Sequence, residues 1–131
     1  MKTIFVILSL FISTEVLAQN TKNMPAAINW LQLIDAGEYT KSWQQADVLF
    51  KSQLSKTNWR DALNSVRAPL GKVVSRSQIS AQDYSSLPGA PKGEYLIVQF
   101  KTQFIAATPS IETLTLSKSS GQWRAVGYFI K

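Results

Sequence analysis

Apolar residues recur with a helical period through the first half of the chain. Ala27, Trp30, Leu31 and Ile34 stand at i, i+3, i+4 and i+7, one face of a helix. Asn23 is placed to cap it, with Pro25 in the first turn, where a missing N–H is harmless. Gly37 is placed to end it in the left-handed conformation. A second stretch repeats the pattern with Tyr39, Trp43, Ala46 and Phe50. A third carries Trp59, Ala62, Leu63 and Val66, with Thr57 as expected N-cap. Arg67 falls in its last turn, favourable to the helix dipole, and Pro69 and Gly71 stop it.

From Lys72 the period changes to alternation. Residues 72–84 read as a polar strand. Leu87-Pro88-Gly89-Ala90 suits a type II turn. The clearest strand covers 94–106, with Leu96, Val98, Phe100 and Phe104 on one side and Gln99, Lys101 and Gln103 on the other. Thr108-Pro109-Ser110 breaks it; 111–118 and 123–130 are further strands, joined by a tight turn at 119–122. Helices followed by strands predict an α+β fold, with N-terminal helices packed on a curved antiparallel sheet of about four strands.

The start of the chain has a different pattern. Lys2 precedes an apolar run, Ile4 to Ile12, broken only by Ser9, and Val16-Leu17-Ala18 follows. This is the order of a secretory leader, cut after Ala18. The run is shorter than the ~20 residues of a spanning helix, so cleavage is expected rather than anchoring. The reading gives a leader at 1–18, a short polar lead-in at 19–24 and one domain at 25–131. The expected location is the periplasm or the exterior, with no stable membrane anchor left.

Composition then removes chemistries. The 131 residues contain no His and no Cys. That excludes a Ser-His-Asp triad, a Cys nucleophile, a His or Cys zinc site and a lipidated Cys. The acids show no calcium-loop spacing, so neither a metal nor a cofactor is expected. The net charge of +6 is carried by dispersed basic residues. No nucleic-acid motif accompanies them, so no nucleic-acid partner is expected.

Glu112 shares a strand face with Leu114 and Leu116. If those leucines face the core, so does Glu112, and a buried carboxylate needs a partner. Arg76 is the candidate; the pair would form either a structural bridge or the polar end of a ligand pocket. Tyr39 and Trp43 are the candidate aromatic wall of that pocket. Trp30, Trp59 and Trp123 are assigned to the core. Asp35 and Glu38 are read as turn residues, and Tyr95 and Tyr128 as packing residues with solvated hydroxyls. Pro88, Gly89, Pro91 and Gly93 form a candidate docking loop.

Several strings stand together: Trp30 to Tyr39, Ser42 to Ala46, Arg67 to Gly71, Leu87 to Tyr95 and Gly127 to Ile130. In order and spacing the set resembles the bacterial exported domain of unknown function 4019 family, over nearly all of residues 19–131. The helices-then-sheet order is also similar to the cone of nuclear transport factor 2 and ketosteroid isomerase. Three functions follow as expectations. One is a non-catalytic envelope module binding a small apolar ligand or a protein, as monomer or homodimer. The second, implied by the isomerase resemblance, is an enzyme using Glu112 or Asp35 as base. The third is an accessory subunit docking through the loop or a strand edge.

Overall fold

The computed structural model describes the backbone of residues 14–131 and side chains from residue 25 onward. The charged start and apolar run of the expected leader lie outside these residues. Helix α1 spans Thr14–Asp35 and carries Pro25 in its interior. The expected cap at Asn23 is therefore replaced by an earlier start, and the backbone of 19–24 is helical. Glu15, Leu17, Ala18, Gln19, Lys22 and Met24 are good helix formers, and the helix runs on through them although an interior proline costs ~3 kcal/mol. Gly37, at φ +77°, ends α1 as expected. Its N–H donates to Ile34 O at 3.0 Å and that of Glu38 to Leu33 O at 2.9 Å.

The single helix expected over Tyr39 to Phe50 is two: α2 (Tyr39–Gln44) and α3 (Val48–Gln53). Asp47 causes the break. Its backbone is extended and its side chain caps Leu49 N at 2.9 Å. Its own N–H donates to Ala125 O at 2.8 Å instead of to a preceding turn. Helix α4 (Lys56–Val66) is capped by Ser55, whose Oγ accepts from Asn58 N at 3.1 Å, rather than by Thr57. Trp59 and Leu63 are buried, while Ala62 and Val66 are exposed, so the buried stripe is narrower than the periodicity predicts. A 3₁₀ turn at Ala68–Leu70 and Gly71 lead into the sheet.

Strands β1 (Val73–Tyr84), β2 (Tyr95–Phe104), β3 (Ser110–Ser117) and β4 (Arg124–Ile130) pair in sequence order, all antiparallel. Irregular register between Gln78 and Ser80, and between Thr115 and Leu116, marks bulges that bend a sheet. The expected type II turn is present, with Ala90 N donating to Leu87 O at 3.1 Å and Gly89 at φ +75°. The α+β class and antiparallel sheet are as the sequence predicts.

The alternating face of β2 supplies Leu96, Val98, Phe100 and Phe104 to the core, opposite Leu114, Leu116 and Ala125. Trp30, Leu31, Ile34, Phe50, Trp59 and Leu63 cover them from the helices. Full burial of such a side chain contributes about 1.5–3 kcal/mol. Ser42 is wholly buried and satisfies two indoles. Trp30 Nε1 donates to its carbonyl and Trp59 Nε1 to its Oγ, each at 2.9 Å. No helix among the described residues is long and apolar enough to cross a membrane.

Candidate functional site

Register places Arg76 opposite Thr102 on the inner face, and Glu112 opposite Phe100 and Ile130. Glu112, Leu114 and Leu116 are all fully buried, as their shared face requires. Arg76 Nε donates to Glu112 Oε1 at 2.7 Å and Nη2 to Oε2 at 3.2 Å. Thr102 Oγ1 donates to Oε1 and Tyr128 Oη to Oε2. The Tyr128 hydroxyl, expected to be solvated, is instead spent on this buried carboxylate. Trp30 packs edge-on against its ring at 5.6 Å.

The same guanidinium turns its outer side to the C-terminal end of α1. Arg76 Nη1 reaches Asp35 Oδ2 at 2.8 Å and Nη2 reaches Oδ1 at 2.9 Å. Arg67, the C-cap of α4, donates to Asp35 Oδ1 at 3.2 Å and to Gly71 O at 2.6 Å. Its guanidinium carbon lies 4.5 Å from the Phe104 ring centroid, a cation–π contact. Its buried Nε has no partner among the described residues. Asp35, read from sequence as a turn residue, is thus the link between two arginines. The cluster joins Asp35, Arg67, Arg76, Thr102, Glu112 and Tyr128, tying all four strands to the ends of α1 and α4. Two arginines balance two carboxylates, which makes burial of these charges affordable.

Burial alone would lower the Arg76 guanidinium, but the hydrogen bonds and charges of Asp35 and Glu112 outweigh it and hold it above its ordinary value. Burial, reinforced by the Glu112 charge and hydrogen bond, pushes the Tyr128 phenol above its usual range. The chemical consequence is restrictive. A carboxylate offers about four lone-pair sites, and Glu112 fills four with Arg76, Thr102 and Tyr128. Proton abstraction from a substrate would first require one of these donors to leave.

The structure brings Arg76 and Glu112 together but separates the aromatic pair from them. Tyr39 lines a small cleft of about 270 Å³ with Asp35 and Arg67, at the outer edge of the cluster. Trp43 is half-buried against the core, its indole N–H donating to Leu54 O at 2.7 Å. Pro88, Gly89 and Pro91 are exposed and Gly93 is half-buried; the loop is pinned by Gly93 N to Ser85 O and by Tyr95 Oη to Pro91 O. Among the described residues no group of three or more acidic, His or Cys side chains would hold a metal.

A second cleft, of about 400 Å³, opens between α1 and the end of the sheet where β4 begins. Asn29, Trp30, Gln45, Gln122, Trp123 and Arg124 line it. Trp123, assigned to the core from sequence, is half-buried at its rim. The chain has four tryptophans. The indole N–H groups of Trp30, Trp43 and Trp59 are consumed by Ser42 and Leu54. That of Trp123 makes no hydrogen bond among the described residues, and neither do the side-chain amides of Asn29 and Gln45.

These features define a small α+β domain locked by a buried ion cluster, with an open cleft at the other end of its helix–sheet interface. The chain belongs to the family described as Protein of unknown function (DUF4019), whose model matches residues 26–128. The match takes in every member of the cluster and of the cleft. Among curated proteins, none matches the chain.

Proposed function

We propose that the chain is an exported, non-catalytic binding module of the cell envelope, and that the cleft at Trp123 is its binding site. Export rests on Lys2, the Ile4–Ile12 run and the small residue Ala18 before the expected cut. The expected cut after Ala18 falls within α1, so in a processed chain that helix would start no earlier than Gln19. The observation that carries the non-catalytic reading is Glu112, whose lone pairs are all committed to the scaffold. The cleft, by contrast, presents an aromatic ring and polar groups without protein partners. That is the composition of a small-molecule site, and its volume lies within the usual ~300–1,000 Å³.

The test is native mass spectrometry of the protein isolated from its own host. The expected result is a chain of mass Gln19–Lys131 with a small-molecule adduct that is lost when Trp123 is replaced by Ala. A chain retaining the leader would overturn export. An adduct unaffected by changes at Trp123 and Asn29 would move the site elsewhere.

A further inference from the structure

We propose that the cleft at Trp123 recognises an acidic saccharide, a pyranose bearing a carboxylate. The proposal rests on the reading of this cleft as a binding site and names its ligand class. The aromatic wall is the first ground. An indole half-buried on the core presents a rigid flat surface, which matches the apolar C–H face of a pyranose. Its N–H is the one indole donor with no partner among the described residues, and it suits a ring hydroxyl.

The polar lining is the second ground. Asn29, Gln45 and Gln122 contribute side-chain amides. An amide both donates and accepts, and so does each hydroxyl of a sugar. A purely apolar ligand would leave these amides dehydrated and unpaired. Gln122 Oε1 already accepts from Arg124 Nη2 at 3.1 Å, which orients both side chains at the rim.

Charge is the third ground. Among the described residues, Arg124 is the only ionised one lining the cleft. Its guanidinium has five N–H donors; one goes to Gln122 and one to Gln45 O at 3.2 Å. Three N–H groups are left to meet an anionic ligand such as a carboxylate. Lys118 adds a second positive charge, its Nζ 5.9 Å from the Trp123 ring centroid. The neighbouring carboxylate, Asp47, is buried and engaged by Leu49 N at 2.9 Å and Ser119 Oγ at 2.8 Å. Arg124 and Lys118 outnumber that one carboxylate, and neither is ion-paired among the described residues, so the site keeps a net positive charge, unlike the balanced cluster around Glu112.

The test titrates the purified mature chain with two matched probes, followed by tryptophan fluorescence. One is a tetrasaccharide of alternating glucuronate and N-acetylglucosamine; the other is neutral tetra-N-acetylchitotetraose. A panel of small aromatic and amide fragments is screened alongside by ligand-observed NMR. The acidic probe should bind roughly tenfold more tightly at low salt, a charge-assisted pair being worth about one decade. Arg124→Gln should bring the two probes level, and Trp123→Ala should abolish binding of both. Because Trp123 also packs on the core, Asn29→Ala is the companion variant and should weaken both probes without lowering the melting temperature. Equal affinities that ignore Arg124→Gln would overturn the acidic assignment. Fragments that bind at the cleft while neither saccharide does would overturn the saccharide class and leave the binding-module reading intact. Silence from every probe and fragment would overturn both.

Discussion

Glu112→Gln tests the cluster most sharply, because the substitution keeps the shape and removes the charge. The amide oxygen would still accept from Thr102 and from Arg76 Nε. The amide nitrogen would replace Oε2, which now accepts from Tyr128 Oη and from Arg76 Nη2 at 3.2 Å. The tyrosine hydroxyl can turn and accept; a guanidinium has no acceptor to offer. One charge-assisted bond is lost, and two arginines then face Asp35 alone. Solvent replaces little, since the side chain of Glu112 is 0 % and that of Arg76 11 % exposed. Breaking a buried pair from one side costs about 3–5 kcal/mol, and the bonds retained place this case near 3. In a domain of this size that is a fall in Tm of roughly 10–15 °C. Thermal unfolding followed by far-ultraviolet circular dichroism reads it directly. In a double-mutant cycle, adding Arg76→Gln should cost less than the sum of the two single changes. Equal melting temperatures for Glu112→Gln and wild type would refute the reasoning.

Asp47→Ala removes the α3 cap and the bond to Ser119, and should lower stability by about 1–2 kcal/mol in a urea titration. Gly71 has φ +76° and ψ −158°, a region essentially confined to glycine, so Gly71→Ala should cost about 1–3 kcal/mol by the same assay. Tyr128 gives a pH signature. Its phenol is raised in the folded chain by burial and by Glu112, whereas in the unfolded chain it ionises near pH ~10. Above that pH the unfolded chain holds fewer protons than the folded one, so stability falls as pH rises; below it the contribution is intact. Urea midpoints measured across this range should decline less steeply for Tyr128→Phe than for wild type.

Much of the fold was legible because its signals are local. Alternation along β2 and the glycines at 37 and 89 report their own backbone states. The split between α2 and α3 was also written locally, in Asp47. The apolar positions stay in helical phase across it, however, and the period masked the cap. Glu112 was legible because Leu114 and Leu116 fix its face, and Arg76 was the basic residue in the interior of the first strand. The rest of the cluster was not. Asp35 lies 32 residues from Arg67 and 41 from Arg76, and beside Gly37 it carries an ordinary turn signal. Tyr128 reads like any strand aromatic until the register places its hydroxyl beside Glu112. The cleft is harder still. Trp123 follows a turn and precedes a strand, so periodicity assigns it to the core, while its neighbours Asn29 and Gln45 come from two distant helical segments.

The central claim separates a locked cluster from a receptive cleft, and the indole region of a ¹⁵N–¹H correlation spectrum resolves the two. A chain of residues 19–131 would be titrated with the glucuronate-containing tetrasaccharide. The Trp123 indole cross-peak should move progressively, and that of Trp30, which lines the same cleft, with it, while those of Trp43 and Trp59, each held in a protein hydrogen bond away from the cleft, stay in place. Movement of Trp59, which lines a groove with Arg67 and Tyr128 of the cluster, with Trp123 unchanged would put the ligand at the Glu112 cluster and contradict the account.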